Sequence, residues 1–237
     1  MDMDVLVFAA HPDDAELAAG GLLARCAEAG LRAAIVDFTR GEAGTRGTPE
    51  IRAAEAAAAD RVLSIACREN LGFPDSRLTE TIEARLLAIE ALRKHRPALV
   101  AAPYVDDLHP DHAVVGRIVS AAIYPSGFHR IVTGSPPHRP RALVHYMNHT
   151  AFPPTFVLDV TSVWAKRMEA VRCYRSQFHD PDSKEPATNI SAPDFLEKLA
   201  ARFRHYGSLI GADYGEPYFS RGPVPVLDPL AICGRRS

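Results

Sequence analysis

Two stretches of the 237-residue chain set histidine, proline and carboxylates in the same order. The first is Ala10-His11-Pro12-Asp13-Asp14-Ala15-Glu16, and the second is Asp106-Asp107-Leu108-His109-Pro110-Asp111-His112. His11 and Asp14 are spaced so that an imidazole at a strand end and a carboxylate in a first helical turn converge. His112 supplies a third ligand if the two stretches meet. Two histidines and one carboxylate, with a fourth position left to water, form the ligand set of catalytic zinc; the same set also suits non-haem iron(II). Asp13, beside Asp14 at a helix start, projects about 100° away from it. That aims Asp13 at the water rather than the ion, the position of a general base. Each stretch alone has an ordinary explanation: proline at the first helical position, aspartate as N-cap and Glu16 three residues after Asp13 make a common helix start. Capping does not account for two such turns that each add further Asp or His within three residues, and together they point to a metal.

The elements around these turns tell how they meet. Asp4 to Ala10 is a short apolar run, followed by helical spacing from Leu17 to Gly30; Arg32 to Phe38 is a second apolar run. A glycine-rich loop, 39–48, leads to Pro49, which opens a helix from Glu50 to Ser64. A short strand at Asn70 and Leu71, a helix from Thr79 to His95, a buried strand from Ala98 to Pro103 and a helix from Asp111 to about Ile123 continue the alternation. Strands at 141–148 and 155–160 and helices at 162–177 and 193–210 complete the chain. This order predicts a Rossmann-like, doubly wound α/β fold, with a mostly parallel sheet and helices on both faces. In such sheets the first strand commonly neighbours the fourth, and ligands bind at the carboxyl ends where the strand order reverses. Both His-Pro-Asp turns then face one crevice, which places the metal site at that edge of the sheet. The expected organisation is one domain, 1–237, with a core over about 1–160 and a helical extension over about 161–237. The long loops 124–140 and 178–193 are candidate lids.

Composition narrows the partners. Hydrophobic residues make up 47% and charged residues 24%, enough for a full core and unlike a disordered chain. Twenty-seven Lys and Arg against 29 Asp and Glu leave a net charge of −2, too small a field for non-specific capture of nucleic acid or membrane. The four cysteines, Cys26, Cys67, Cys173 and Cys233, form no C-x-x-C pair, so neither a disulfide framework nor a thiolate cluster is expected. An acidic start without a basic n-region, and no apolar run long enough to span a bilayer, predict a cytoplasmic protein. The loop from Gly41 to Gly47 lacks the Gly-Lys-Ser/Thr of a P-loop and the G-x-G-x-x-G of a dinucleotide site. His129, His138, His145 and His149 read as surface or satisfied core histidines, and Trp164, Met168 and Val171 as core.

The AHPDDAE and HPDH stretches resemble the PIG-L/LmbE-like family of zinc-dependent N-acetylglucosamine deacetylases. The likeness continues through Asp37-Phe38-Thr39-Arg40-Gly41-Glu42, Gly44 to Thr48, Arg52 with Glu55, Asn70-Leu71, Pro74-Asp75, Tyr174 to Phe178 and Gly215-Glu216-Pro217. It is strongest to the bacillithiol-biosynthesis branch, which deacetylates N-acetyl-glucosaminyl malate. The resemblance implies His11, Asp14 and His112 as ligands of Zn2+, with Fe2+ as the other option, and Asp13 as general base. It also implies that His109 is the partner of the tetrahedral oxyanion or the proton donor to the leaving amine, oriented by Asp111. The substrate it implies is a small amino-sugar glycoside, and the assembly a homo-oligomer such as a hexamer. Arg52 is expected to read an anionic aglycone such as malate, against the ordinary alternative of an exposed pair with Glu55. Glu42 and Gln177 are further candidate substrate contacts; Arg40 and Arg46 read as solvated surface. Leu108 departs from the branch, which carries Arg before HPDH. The competing readings are a deacetylase of another N-acetyl sugar conjugate, such as a mycothiol-like or antibiotic precursor, and a non-catalytic sugar-binding protein.

Overall fold

A computed structural model describes residues 2–225 of the chain; Cys233 and the end of the expected extension lie outside them. The strands are β1 (Val5–Ala9), β2 (Ala33–Thr39), β3 (Cys67–Phe73), β4 (Leu99–Pro103), β5 (Ala142–Tyr146), β6 (Phe156–Asp159) and β7 (Gly215–Phe219). The helices are α1 (Asp14–Glu28), α2 (Pro49–Leu63), α3 (Ile82–His95), α4 (Pro110–Ile123), α5 (Trp164–Val171) and α6 (Phe195–Ser208). One seven-stranded sheet runs β3-β2-β1-β4-β5-β7-β6. Its first five strands are parallel and β7 is antiparallel to both neighbours. The order turns from descending to ascending at β1 and β4, which pair directly through Val5 to Val7 and Leu99 to Ala101.

Alternation along β1 divides the interior in two, because successive side chains leave a strand on opposite faces. Val5, Val7 and Ala9 join the cluster that holds Leu23 of α1, Ala59 of α2, Val171 of α5 and Phe203 of α6. Leu6 and Phe8 join the one that holds Leu92 of α3 and Val119 of α4. Burial on both faces is why β1 and β2 read as continuous apolar runs. No described helix is long and apolar enough to cross a membrane.

Three expectations about the elements are corrected. The helix expected to reach Gln177 stops at Val171. Beyond it Tyr174 turns wholly into the core, and Ser176 gives its N–H and hydroxyl to Glu55, so tertiary contacts replace helical ones. The region expected as a helical extension also contributes β7, inserted between β5 and β6; its Gly and Pro217 hid it, since both weaken strand patterns. Finally, β3 is a seven-residue edge strand rather than a two-residue one.

Candidate active site

Both His-Pro-Asp turns leave the carboxyl ends of adjacent strands. The second is drawn tight by Gly116, where any Cβ would stand 2.5 Å from the Pro103 carbonyl, so α4 packs directly against the end of β4. The first turn contains Asp13 at φ 120°, a conformation that L residues other than Gly rarely adopt. Its side chain caps nothing. Instead Asp13 Oδ2 lies 3.0 Å from Arg52 Nη2. Glu16 does not close a capping box either; it bonds Arg68 at 2.9 Å. The helix-start explanation therefore fails for both carboxylates, and the strain at Asp13 is of the kind found where a side chain must be aimed.

Asp14 sits between the two histidines. Its Oδ2 is 3.3 Å from His11 Nδ1 and its Oδ1 is 3.1 Å from His112 Nε2. Ligands of a tetrahedral ion at about 2.0 Å are about 3.3 Å apart, so this spacing fits a small divalent ion. His11, Asp14 and His112 are all buried, and their donor atoms lie within 4.8 Å of one another. Two overlapping sets, His11 with His109 and Asp111, and Asp107 with His112 and His149, also meet that distance. Asp107 supports His112 from behind, with Oδ1 3.1 Å from its Nδ1, as outer carboxylates do for metal-binding imidazoles.

The charges reinforce one another. Burial alone would raise Asp14, but the His112 charge and hydrogen bonds from His11 and His112 hold it well below the usual carboxylate range. His112 rises to about 9: burial opposes the shift, and Asp14 and Asp107 outweigh it. Asp75 is pushed down to about 2, against its burial, by His11. Burial lowers His109, helped by the charges of His112 and His11. Asp13 goes the other way, raised to about 7 by burial, which Arg52 only partly offsets and Asp14 reinforces.

The other expected residues divide. His109 caps α4, takes the Asp111 N–H on Nδ1 at 3.3 Å and stacks on His112 with ring centroids 4.6 Å apart. The Asp111 carboxylate does not orient it; Oδ2 accepts from Ser76 N at 2.8 Å and stands 3.4 Å from His11 Nε2. Arg52 is only 4% exposed and makes no pair with Glu55. Thr48 and Pro49 start α2 one turn ahead of it, and Gly41, at φ 69°, leaves the space its guanidinium fills. That guanidinium reaches Asp13 and the Gly41 and Pro12 carbonyls. Gln177 borders the cavity and donates to the Arg46 carbonyl. Glu42 is exposed and outside the cavity lining; it accepts the Asp75 N–H at 2.9 Å. Arg46, expected on the surface, is buried with Nε on the Ser176 carbonyl.

Asp75, Asp107, Asn148 and His149 complete the site; sequence reasoning gave none of them a role there, and its reading of His149 as a surface or satisfied core histidine is corrected. Asp75 Oδ1 is 3.1 Å from His11 Nε2. Asn148 lies near Asp14 at 3.4 Å. His149 shares Asp107 with His112 and stacks on it at 5.2 Å; by contrast His145 is the satisfied core histidine expected, bonded to the Pro103 carbonyl. A signal for Asp107 was present in its position two residues before His109, whereas nothing in a lone His149 marks it. Asp75, Asn148 and His149 open, with the two His-Pro-Asp turns, onto a cavity of about 680 Å³, bordered on its other sides by loop residues 188–190 and by α6, whereas Asp107 is outside its lining.

Residues 6–123 match the family model described as PIG-L, GlcNAc-PI de-N-acetylase. The chain is 28% identical over 233 residues to a diacetylchitobiose deacetylase of Thermococcus kodakarensis, covering 90% of this chain and 80% of that protein. It is also 28% identical to a probable N-acetyl-alpha-D-glucosaminyl L-malate deacetylase 2 of Bacillus cereus, over 75% of this chain and 84% of that one. A crystal structure of a conserved protein from Thermus thermophilus superposes with a TM-score of 0.87 at 39% identity, covering 96% of this chain and 98% of that one.

Proposed function

Because the chain belongs to the PIG-L family of deacetylases, we propose that it hydrolyses the N-acetyl amide of an N-acetylglucosamine conjugate to acetate and the free amine. One observation carries this reading: Asp14 stands within 3.3 Å of imidazole nitrogens from both turns while Asp13, beside it, is free of any capping bond. His11, Asp14 and His112 would hold the metal, read as zinc with iron(II) as the other option. When bound, it supplies Lewis acidity that polarises the acetamide carbonyl and acidifies water. Asp13 accepts the proton of the attacking water, and its raised pKa suits a base working near neutrality. Arg52 fixes the direction of the Asp13 carboxylate. The new C–O bond forms as the carbonyl oxygen takes up charge, and His109, on the cavity wall, stabilises that oxyanion. The C–N bond then breaks, and the proton from water goes to the sugar nitrogen.

The likeness to the Bacillus cereus protein supports N-acetyl-glucosaminyl malate as a substrate, and the longer match to the Thermococcus protein supports an N-acetylated disaccharide. Acetate release from N-acetylglucosamine, N,N'-diacetylchitobiose and N-acetyl-glucosaminyl malate, measured before and after chelation, tests the proposal. Release is expected to stop with chelator and return with added Zn2+ or Fe2+. Release that ignores the chelator, or none from any substrate with metal supplied, contradicts it.

A further inference from the structure

We infer that Arg202, with Lys198 one turn before it on α6, determines specificity in this cavity by taking an anionic group, a carboxylate or a phosphate, on the conjugate whose N-acetyl amide is cut; this rests on the deacetylase reading above. Arg202 and Lys198 both border the cavity and stand four residues apart, on one face of α6. Arg202 also reaches toward the reactive groups. It donates to the backbone carbonyl of Asn148, whose side-chain amide lies 3.4 Å from Asp14.

What sets Arg202 apart is that it has no counter-charge. Arg46, Arg52, Arg68 and Arg167 each have a carboxylate within 3.9 Å. Arg93, buried without one among the described residues, spends its guanidinium on the Ser126, Phe128 and Ile131 carbonyls and the Thr133 hydroxyl. Arg202 has neither arrangement. It is half-buried, yet the Asn148 carbonyl is its one hydrogen-bond acceptor among the described residues, which leaves most of its guanidinium N–H groups uncommitted. An incoming anion supplies the partner that a shielded cation lacks. Lys198 does have a carboxylate, Asp194 at 2.8 Å, but both side chains are exposed. Such a surface pair contributes little, so its amine exchanges that partner readily. Arg52, the other arginine bordering the cavity, is not free for this role, because Asp13 holds it at 3.0 Å. Asp13, Asp14 and Asp75 all border the cavity at that end, so the anion of a conjugate meets like charge there and opposite charge at α6. The cavity volume of about 680 Å³ lies within the roughly 300–1,000 Å³ of sites that enclose drug-sized ligands, leaving room for such a group beside the sugar.

The test measures kcat/KM for acetate release by the metal-loaded enzyme from N-acetyl-glucosaminyl malate, N-acetylglucosamine 1-phosphate and the neutral methyl N-acetylglucosaminide. At least one anionic conjugate is expected to exceed the methyl glycoside by about tenfold or more, the worth of one charge-assisted hydrogen bond. Which one does so tells carboxylate from phosphate. Arg202→Gln is expected to cut that ratio by about tenfold, and Lys198→Gln, at an exposed position, by about threefold. The ratio separates recognition from structure, since damage to the Asn148 turn would slow all three substrates alike. No native preference for either anion, or a ratio unmoved in Arg202→Gln, overturns the inference. Should Arg202→Gln not fold, a ratio unmoved in Lys198→Gln overturns it. Failure of the deacetylase reading looks different, with no acetate from any of the three. The subsite is then read by calorimetry with the corresponding free amines. Tighter binding of an anionic one, weakened in Arg202→Gln, supports it; equal or absent affinity, or a difference that Arg202→Gln leaves intact, overturns it.

Discussion

Two clusters of buried charge hang from the same stretch, Ala10 to Glu16. Forward of α1, His11, Asp13 and Asp14 meet Asp75, Asp107, Asp111 and three more histidines at the carboxyl ends of β1 and β4. Behind it, Glu16, Asp37 and Asp60 surround the guanidinium of Arg68 at 2.9, 2.9 and 2.8 Å, with the Tyr174 hydroxyl at 3.3 Å. Both are dense and buried, so density of charge does not distinguish a site from a scaffold. The rear cluster carries its own permanent cation, whose planar fork is spent on three carboxylates. The forward cluster offers imidazole lone pairs and carboxylate oxygens converging on a point beside a cavity. The one guanidinium there, Arg52, pairs among the carboxylates with Asp13 alone, and donors that converge where no cation of the chain sits suit a metal and a reacting amide.

Asp13→Asn tests that division most severely. With Asp13 as the base, kcat should fall by about 10² to 10⁴ while metal content, read by elemental analysis, stays near that of the native protein. If Asp13 merely neutralises Arg52, as the rear carboxylates neutralise Arg68, the loss appears in thermal stability and kcat holds. In the rear cluster, Arg68→Leu strips three carboxylates of their cation and should destabilise the fold by about 3–5 kcal/mol, measured by denaturant unfolding. The folded fraction should keep its metal. Metal loss in Arg68→Leu at temperatures where it stays folded would show that the two clusters act as one.

The forward cluster was legible because its chemistry is local. His11 and Asp14 lie three residues apart, His109 and His112 likewise, and the alternating strands and helices required β1 beside β4. The meeting of His11, Asp14 and His112 therefore followed from spacing and topology. Arg52 was legible as important but not in direction: its sequence neighbour Glu55 suggested a surface pair, and only the packing of α2 against the 39–48 loop turns it to Asp13. Asp75 and His149 enter from loops whose course no periodicity sets. Arg68 was invisible because its three partners sit on α1, β2 and α2, up to 52 residues away. β7 escaped because what makes it a strand is pairing with β5 and β6, a nonlocal gain that overrides the local signal of Gly215 and Pro217.

The smallest expected effect is the most specific to the rear cluster. Burial raises both Asp37 and Asp60 to about 6, with Arg68 lowering each only in part. Asp37 keeps Oδ2 on Arg68 Nε, while its Oδ1 is buried with no hydrogen-bond partner among the described residues. The folded state then binds protons that the unfolded chain has released between about pH 4 and pH 6. Stability from this source is present below that window and is lost as pH rises through it. Asp37→Asn removes the titration while keeping an acceptor for Arg68. The unfolding free energy of the native protein relative to Asp37→Asn should therefore fall by about 1–2 kcal/mol from pH 4 to pH 6. Taking the difference between the two proteins cancels the forward cluster, whose Asp14 and Asp75 shift the opposite way. A difference that stays level, or rises with pH, would mean that Arg68 holds Asp37 ionised throughout, and that the rear cluster is paired as completely as its distances suggest.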